Sequence, residues 1–238
     1  MKLRNKNVSL LVGNDVVDLM DAEARPEQLH PRFDERVFTA AERDRIATGG
    51  CPHQTRWALW AAKESAYKVA KKLDSRTRFS PACFVAELER DGTGVIRHRD
   101  KNYTVAIVQS KQYVHAIAVG FADHNSSIWL LKIRPERSTS LRCQTWRVED
   151  RAAQSSFVYS EARAVRGEPK DIAGPAVRKL AKKVIGDIAG VDPQELEIAA
   201  EGRLPRVWRK GSELPVDLSL SHHGRFVALA FSYSIGIR

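Results

Sequence analysis

Hydrophobic and polar residues alternate along several short stretches of the chain, which is the pattern of strands with one buried face. Apolar residues at 216, 218 and 220, for example, alternate with aspartate and serine at 217, 219 and 221. In the first part of the chain this pattern predicts strands at 8–12, 83–88, 94–98, 103–109 and 113–121, with an acidic turn after the first. In the second part it predicts strands at 127–133, 157–165, 196–199, 207–208, 216–221 and 225–231, with a polar loop at 134–140.

Helices are predicted up to Glu42, at 57–73 and at 176–189, and the second of these has two distinct faces at a period of 3.6 residues. Its core stripe is Leu59, Ala62, Ala66, Val69, Ala70 and Leu73, and its opposite stripe is Trp57, Trp60, Ala61, Glu64, Lys68 and Lys71. Because a solvated face rarely carries two tryptophans, we expect the other half of the chain, a ligand or both to cover the second stripe. Glu64 and Lys68 are then either part of a site or an ordinary helix pair worth roughly a few tenths of a kcal/mol.

The chain also contains a worn internal repeat. Four residues, Lys68, Ala70, Lys71 and Lys72, recur 111 positions later as Lys179, Ala181, Lys182 and Lys183. The same offset relates Ser110 to Ser221, each followed by a turn and a strand. We therefore expect an α+β fold made of two halves related by a pseudo-twofold, each a small antiparallel sheet packed with helices. The first half would be 1–123 and the second 124–238.

The two halves differ in the chemistry they offer. Lys63 and Glu64 correspond to glycine and proline in the second half, whereas Ser221 and His222 correspond to Ser110 and a lysine in the first. Each half thus keeps what the other lacks, which favours one composite site at the junction over two separate sites.

Composition narrows the classes of partner. The 238 residues carry a formal net charge of +10, which would attract nucleic acid, a phosphorylated cofactor or an acidic protein, although a basic surface is also ordinary for a soluble protein. No apolar run reaches the roughly 18 residues of a membrane span, and the run before Asp15 is too short for a signal peptide, so we expect a cytoplasmic protein. The three cysteines form no metal-binding pattern, and we expect idle thiols.

Five short motifs stand out along the chain: GNDVVDL at 13–19, RFDERVFTAAE at 32–42, WALWAAKESAYK at 57–68, GRLP at 202–205 and LSLSHHGRFVALAF at 218–231. Together they resemble the motifs of the 4′-phosphopantetheinyl transferase superfamily. GNDVVDL at 13–19 is similar to its G-x-D-[IV]-x-[DE] element, and RFDERVFTAAE at 32–42 resembles a run in the small holo-acyl-carrier-protein synthases. WALWAAKESAYK at 57–68 is similar to W-x-x-K-E-[SA]-x-x-K. GRLP at 202–205 and LSLSHHGRFVALAF at 218–231 resemble the G-[KR]-P and S-[LI]-S-H elements. The size resembles the fused, two-half surfactin type, although here the Ser-His half comes last rather than first.

The resemblance implies a transfer of the 4′-phosphopantetheine group of coenzyme A to a serine of an acyl or peptidyl carrier protein, releasing adenosine 3′,5′-bisphosphate. Asp15 and Glu64 would bind Mg²⁺, which prefers hard oxygen ligands, and Asp18 is a weaker third ligand or a structural residue. Lys68, supported by Lys63, would meet a coenzyme A phosphate. The remaining coenzyme A contacts would come from Arg203, Ser221 and His222. Glu64, directly or through a water, would accept the serine proton, so the expected catalytic residues are Glu64, Asp15 and Lys68.

The charge and the fused halves also lead to expectations about the partner protein and the oligomeric state. The basic charge suits transient docking of an acidic carrier protein of fatty-acid, polyketide or peptide synthesis, and the fused halves predict a monomer. Two other functions stay open at this point: a basic nucleic-acid-binding protein, which would need a recognition motif that we do not find, and a non-catalytic relative that only binds carrier protein.

Overall fold

The computed structural model describes residues 10–121, 132–140, 143–149, 155–165, 169–202 and 204–234. The helices are α1 (Phe33–Val37), α2 (Ala40–Thr48), α3 (Pro52–Leu73) and α4 (Pro169–Ala189). The strands of the first part are β1 (Leu10–Asp18), β2 (Val85–Leu88), β3 (Thr93–His98), β4 (Lys101–Gln109) and β5 (Tyr113–Phe121). Those of the second part are β6 (Lys132–Ser140), β7 (Cys143–Glu149), β8 (Ser155–Ala164), β9 (Leu196–Glu201), β10 (Leu204–Arg209), β11 (Ser212–Glu213), β12 (Asp217–His223) and β13 (Phe226–Ser234).

The described strands form three antiparallel sheets. The first has the order β1-β5-β4-β3-β2, the second β12-β13-β8-β7-β6, and a small third sheet has the order β11-β10-β9. The expected mixture of helices and antiparallel sheets is thereby confirmed. Strand β5 coincides with the predicted range, and its nearly continuous apolar sequence has a reason: both of its faces are buried. Alternate residues face α3, as Val114 and Ala116 do, or the second sheet, as Ile117 does.

The first and second sheets meet at their edge strands, β1 and β12. Backbone N–H groups at alternate positions of β1 donate to side chains at alternate positions of β12. The four pairs are Val12 with Asp217 Oδ2 (2.6 Å), Asn14 with Ser219 Oγ (3.0 Å), Val16 with Ser221 Oγ (3.1 Å) and Asp18 with His223 Nδ1 (3.1 Å). This ladder satisfies donors that an exposed edge would leave to water or to another chain.

Two predictions about strands were wrong. The stretch expected as a polar loop at 134–140 belongs to strand β6, which pairs with β7 at the edge of the second sheet. Its sequence lacks apolar alternation, so backbone pairing rather than periodicity defines the strand. The acidic turn expected after residue 12 is also absent, because β1 continues to Asp18 and places Asp15 inside the strand. The expected residues 8–9 and 127–131 lie outside the described residues.

The residues that cover Trp57 and Trp60 also differ from those expected, which were the other half of the chain or a ligand. Trp57 donates from Nε1 to the carbonyl of Ala24 at 2.9 Å, and Trp60 packs against the rings of Phe33 and Phe79 at 5.7 and 5.6 Å. These partners belong to the same part of the chain as the helix. The first part therefore covers its own tryptophans, and the second stripe of α3 splits: its aromatic end is core, and its charged end borders a cleft.

Candidate functional site

A cleft of about 420 Å³ separates helix α3 from the second part of the chain. Its α3 wall carries Glu64, Tyr67, Lys68, Lys71 and Lys72. Its opposite wall comes from α4, the small sheet and β12, and includes Arg178, Leu204, Pro205, Leu220 and His222. One charged wall thus faces another that is partly apolar. Such a cleft suits a ligand with anionic groups at one end and an apolar or aromatic part at the other.

Asp15 lies on β1, next to the charged end of α3. Oδ1 of its carboxylate accepts hydrogen bonds from Lys68 Nζ and from Ser221 Oγ, both at 3.0 Å. Within the part of the chain that the structure describes, Oδ2 accepts no hydrogen bond. The side chain is 12% exposed, so Oδ2 is largely shielded from water and could bind a ligand.

A glycine brings α3 this close to the strand. A Cβ built on Gly13 would lie 2.0 Å from the backbone oxygen of Ser65, a contact that no side chain could make. Ser65 directly follows Glu64, so the same close approach places Glu64 near Asp15. The close contact between Gly13 and the backbone of Ser65 therefore brings Glu64 next to Asp15.

Glu64 is a half-buried carboxylate with no hydrogen-bond partner among the described residues. Burial raises its pKa from 4.5 to about 7, Lys68 opposes that rise, and the nearby charge of Asp15 adds to it. A buried carboxylate whose charge is disfavoured by burial and by a second carboxylate is a place where a divalent cation would be stabilised.

Lys68 connects helix α3 to strand β1. Its ammonium donates to the carbonyl of Asn14 at 2.7 Å and to Oδ1 of Asp15 at 3.0 Å, and its side chain is 25% exposed. An ammonium has three donors, so one is left to face the cleft. Lys68 is thus placed both to hold Asp15 and to meet an anion.

Lys63 is a correction to the expected site. Its side chain is fully buried, and Nζ donates to Glu42 Oε2 at 2.7 Å and to the carbonyls of Val37 and Pro81 at 3.1 Å. All three donors are used inside the first part, away from the cleft. Glu42 also closes the capping box of α2 with Thr39. Lys63 and Glu42 therefore form a buried ion pair, and Lys63 does not line the cleft.

Asp18 also bonds a residue outside the cleft, Arg225. Its carboxylate is 1% exposed and accepts from Nε and Nη2 of Arg225, both at 2.7 Å. Burial alone would raise its pKa, but the side-chain and backbone bonds of Arg225 hold the pKa below its ordinary value. Both oxygens are engaged by a guanidinium that joins the two sheets. Of the two roles expected for Asp18, the geometry supports the structural one.

The Ser-His motif divides between two roles. His222 is exposed and lines the cleft, as expected. Ser221 is buried and does not line it, because its hydroxyl lies in the β1–β12 junction and bonds Asp15. The expected contact of Ser221 with a coenzyme A phosphate is therefore not met. Arg203 lies outside the described residues, although its neighbours Leu204 and Pro205 border the cleft.

Sequence reasoning missed two residues that line the cleft, Tyr67 and Arg178. They correspond to each other in the internal repeat, since Arg178 lies 111 positions after Tyr67. This offset was the sequence signal that could have found them, because residues of both α3 and α4 line the cleft.

Asp21, Glu23 and His223 form a second group of possible metal ligands, with donor atoms within 4.8 Å of one another. Nδ1 of His223, however, accepts the backbone N–H of Asp18. A neutral imidazole that accepts through one nitrogen carries its proton on the other, so this ring offers no free lone pair. We assign no metal to this group.

Comparison with known proteins agrees with the geometry. Residues 11–118 match the model of the family described as the 4′-phosphopantetheinyl transferase superfamily, and the match contains Asp15, Glu64 and Lys68. No curated protein matches the chain significantly. Among the described residues, no helix is long and apolar enough to cross a membrane. Over residues 11–118 the chain is therefore similar to the 4′-phosphopantetheinyl transferase superfamily.

Proposed function

We propose that the protein is a Mg²⁺-dependent phosphopantetheinyl transferase of the holo-acyl-carrier-protein synthase type. It moves the 4′-phosphopantetheine group of coenzyme A onto a serine hydroxyl of an acyl or peptidyl carrier protein and releases adenosine 3′,5′-bisphosphate. One observation carries the proposal: Asp15 lies close to Glu64 and bonds Lys68, and Glu64, Lys68 and His222 line the same cleft.

The donor atoms fit a magnesium ion. Oδ2 of Asp15 and the carboxylate of Glu64 are hard oxygen donors without hydrogen-bond partners among the described residues, and the raised pKa of Glu64 favours exchange of its proton for a cation. Two protein carboxylates, completed by substrate phosphate and water, are a common Mg²⁺ site. When bound, the ion would neutralise charge on the pyrophosphate and its leaving side.

Three side chains of the cleft would hold the pyrophosphate in line with the attacking serine. Lys68 has one donor left for a phosphate oxygen, His222 offers an exposed ring, and Arg178 offers a guanidinium from the opposite wall. We keep Arg203 as a further phosphate or nucleotide contact. Holding both ends of the pyrophosphate fixes the line of attack, the largest contribution that such side chains make to phosphoryl transfer.

Glu64 is the proposed acceptor of the serine proton, directly or through a water. In the metal-free site burial raises the pKa of Glu64 to about 7. With Mg²⁺ on one oxygen of Glu64, the other oxygen or a bound water would take the proton. Asp15, whose Oδ1 accepts from a lysine and a hydroxyl, is proposed only as a metal ligand. The two carboxylates thus have different roles.

We also propose that residues 1–123 and 124–238 are halves related by a pseudo-twofold. Both contain the order strand, helix, two strands, and an antiparallel pair: β1-α3-β2-β3-β4-β5 in one, and β8-α4-β9-β10-β12-β13, with the short β11 inserted, in the other. In both, the last strand pairs with the first. Halves fused in this way complete the site within one chain, so we propose a monomer.

Charge supports the choice of partner. A net charge of +10 favours fast encounter with an acidic carrier protein over a neutral one. We propose a cytoplasmic enzyme that serves fatty-acid, polyketide or nonribosomal peptide synthesis, with coenzyme A as its co-substrate.

Incubation of the protein with coenzyme A, Mg²⁺ and a panel of apo carrier domains tests the function. We expect at least one carrier to gain the mass of one phosphopantetheine arm, and removal of Mg²⁺ by a chelator to stop the gain. Asp15→Asn and Glu64→Gln should abolish transfer while the circular dichroism spectrum stays native.

Glu87→Gln is the matched control, because Glu87 is an exposed acid on β2, at the opposite edge of the first sheet. It should transfer at the wild-type rate. Near-normal rates in Asp15→Asn or Glu64→Gln would refute the metal site, and binding of carrier without any mass gain would point to a non-catalytic relative.

A further inference from the structure

Ser221 contacts both strand β1 and the carboxylate of Asp15. Its oxygen accepts the backbone N–H of Val16 at 3.1 Å, and its hydroxyl donates to Oδ1 of Asp15 at 3.0 Å. The residue is 6% exposed, so water does not compete effectively for either bond. A strand of the second sheet thereby contacts a carboxylate of the first.

The direction of the hydroxyl is set by its neighbours. A serine hydroxyl has one proton, and the N–H of Val16 can only donate. The serine oxygen must therefore accept from Val16, and its proton is free to go to Asp15, whose carboxylate is the acceptor within reach. Lys68 donates to the same oxygen, Oδ1, from the other side of the junction.

This arrangement selects one oxygen of Asp15. Both protein donors bind Oδ1, and no described group binds Oδ2. A carboxylate gripped at one oxygen by two donors cannot rotate freely, so its second oxygen keeps a defined position.

We infer that Ser221 is a positioning residue that orients Asp15 so that Oδ2 stays available to a divalent cation. The inference rests on the proposed function, because it takes Asp15 as a ligand. Ser219, two positions earlier on β12, faces β1 in the same way, because alternate residues of a strand share one face.

Mn²⁺ binding, followed by electron paramagnetic resonance in the presence of coenzyme A, tests the inference without reference to turnover. Ser221→Ala should weaken Mn²⁺ binding by about tenfold or more, as loss of a group that orients a metal ligand commonly does. Ser221→Thr keeps a hydroxyl in a strand position and should bind within about threefold of the wild type.

Ser232→Ala is the matched control. Ser232 is another buried serine of the second sheet, and its hydroxyl donates to the carbonyl of Leu10 at 2.6 Å, so it ties the same strand without touching Asp15. We expect it to lower the melting temperature about as much as Ser221→Ala does and to leave Mn²⁺ affinity unchanged. If Ser221→Ala does not fold, the comparison of Ser221→Thr with Ser221→Cys, which offers a much weaker donor, takes its place.

Asp15→Asn separates the two proposals. Lost binding in Asp15→Asn with unchanged binding in Ser221→Ala would overturn the positioning role alone. Equal weakening by Ser221→Ala and Ser232→Ala would overturn it too, because the effect would then be a general loosening of the junction. Unchanged binding in Asp15→Asn would overturn both this inference and the proposed metal site.

Discussion

The ammonium nitrogen of Lys72 lies 2.7 Å from Oδ2 of Asp217, so an ion pair joins helix α3 to strand β12. The same nitrogen donates to the carbonyls of Val12 and Leu218 at 2.7 and 2.9 Å. Burial lowers the pKa of Lys72, although Asp217 opposes the shift. A lysine in a basic run is usually a solvated cation, yet here it ties the two sheets together beneath the cleft.

Lys72→Met should destabilise the protein by about 3–5 kcal/mol, because it leaves the carboxylate of Asp217 buried without its cation. Urea unfolding measures the change. Arg97→Met is the control: it removes the cation of an exposed pair with Glu87 and should cost less than about 1 kcal/mol. In a double-mutant cycle, Lys72→Met with Asp217→Asn should be at least about 0.5 kcal/mol more stable than the sum of the single changes. Additive effects would contradict the direct pair.

Lys63 leads to a prediction that separates structure from ligand binding. Lys63→Met should destabilise by about 3–5 kcal/mol, since Glu42 would keep an unpaired charge in the core. At a temperature where the variant is folded, its KM for coenzyme A should stay at the wild-type value. Lys68→Met should do the reverse, with a small loss of stability and a raised KM. A raised KM in folded Lys63→Met would place that lysine on the ligand after all.

The comparison of Lys63 with Lys68 shows what sequence reasoning can reach. Periodicity identified the helix and its core stripe, and the strand predicted at 113–121 coincides with β5. Lys63 and Lys68 belong to the same sequence motif, but the motif does not reveal which residue each side chain contacts. Lys63 points to Glu42, twenty-one residues earlier in the chain, and Lys68 to Asp15, fifty-three residues earlier. Only the tertiary packing separates them.

The role of Ser221 was out of reach for the same reason. Alternation predicted that Ser219 and Ser221 share one face of a strand, which is confirmed, but a pattern of period two cannot name the strand that lies opposite. The polar strand β6 was missed because it carries no apolar face to detect. Sequence pattern thus predicts elements that bury apolar surface, and it misses those defined by backbone or polar contacts.

Gly13→Ala should destabilise the protein by at least about 2 kcal/mol, because the added methyl would overlap the backbone oxygen of Ser65 and force α3 away from β1. The same displacement would separate Glu64 from Asp15, so transfer should fall more than the loss of folded protein explains. Gly50→Ala is the control, since a Cβ there meets nothing within 4 Å, and it should change stability by less than about 1 kcal/mol. Equal stability of the two variants would show that the helix does not approach the strand this closely.

His115 lies on β5, in the core between the sheets, and is 3% exposed. Its ring nitrogen Nε2 is 3.4 Å from Nδ2 of Asn14. Burial lowers the pKa of His115 from 6.5 to about 3, and the charge of Lys68 adds to the effect. The ring therefore stays neutral in the folded protein over most of the acidic range, whereas in the unfolded chain it becomes charged below pH 6.5.

This difference predicts an acid sensitivity that one substitution removes. As the pH falls from about 6 to 4, the unfolded chain gains a proton at His115 that the folded protein does not bind, so this residue alone reduces the free energy of unfolding by about 1.4 kcal/mol per pH unit. His115→Gln should remove that part of the slope in urea titrations, while His30→Gln, at an exposed histidine, should leave the slope unchanged. Above about pH 7.5 the ring of His115 is neutral in both the folded and the unfolded chain, so the free energies of unfolding of the variant and the wild type should run parallel there. Parallel curves below pH 6 would mean that the ring reaches water in the native state.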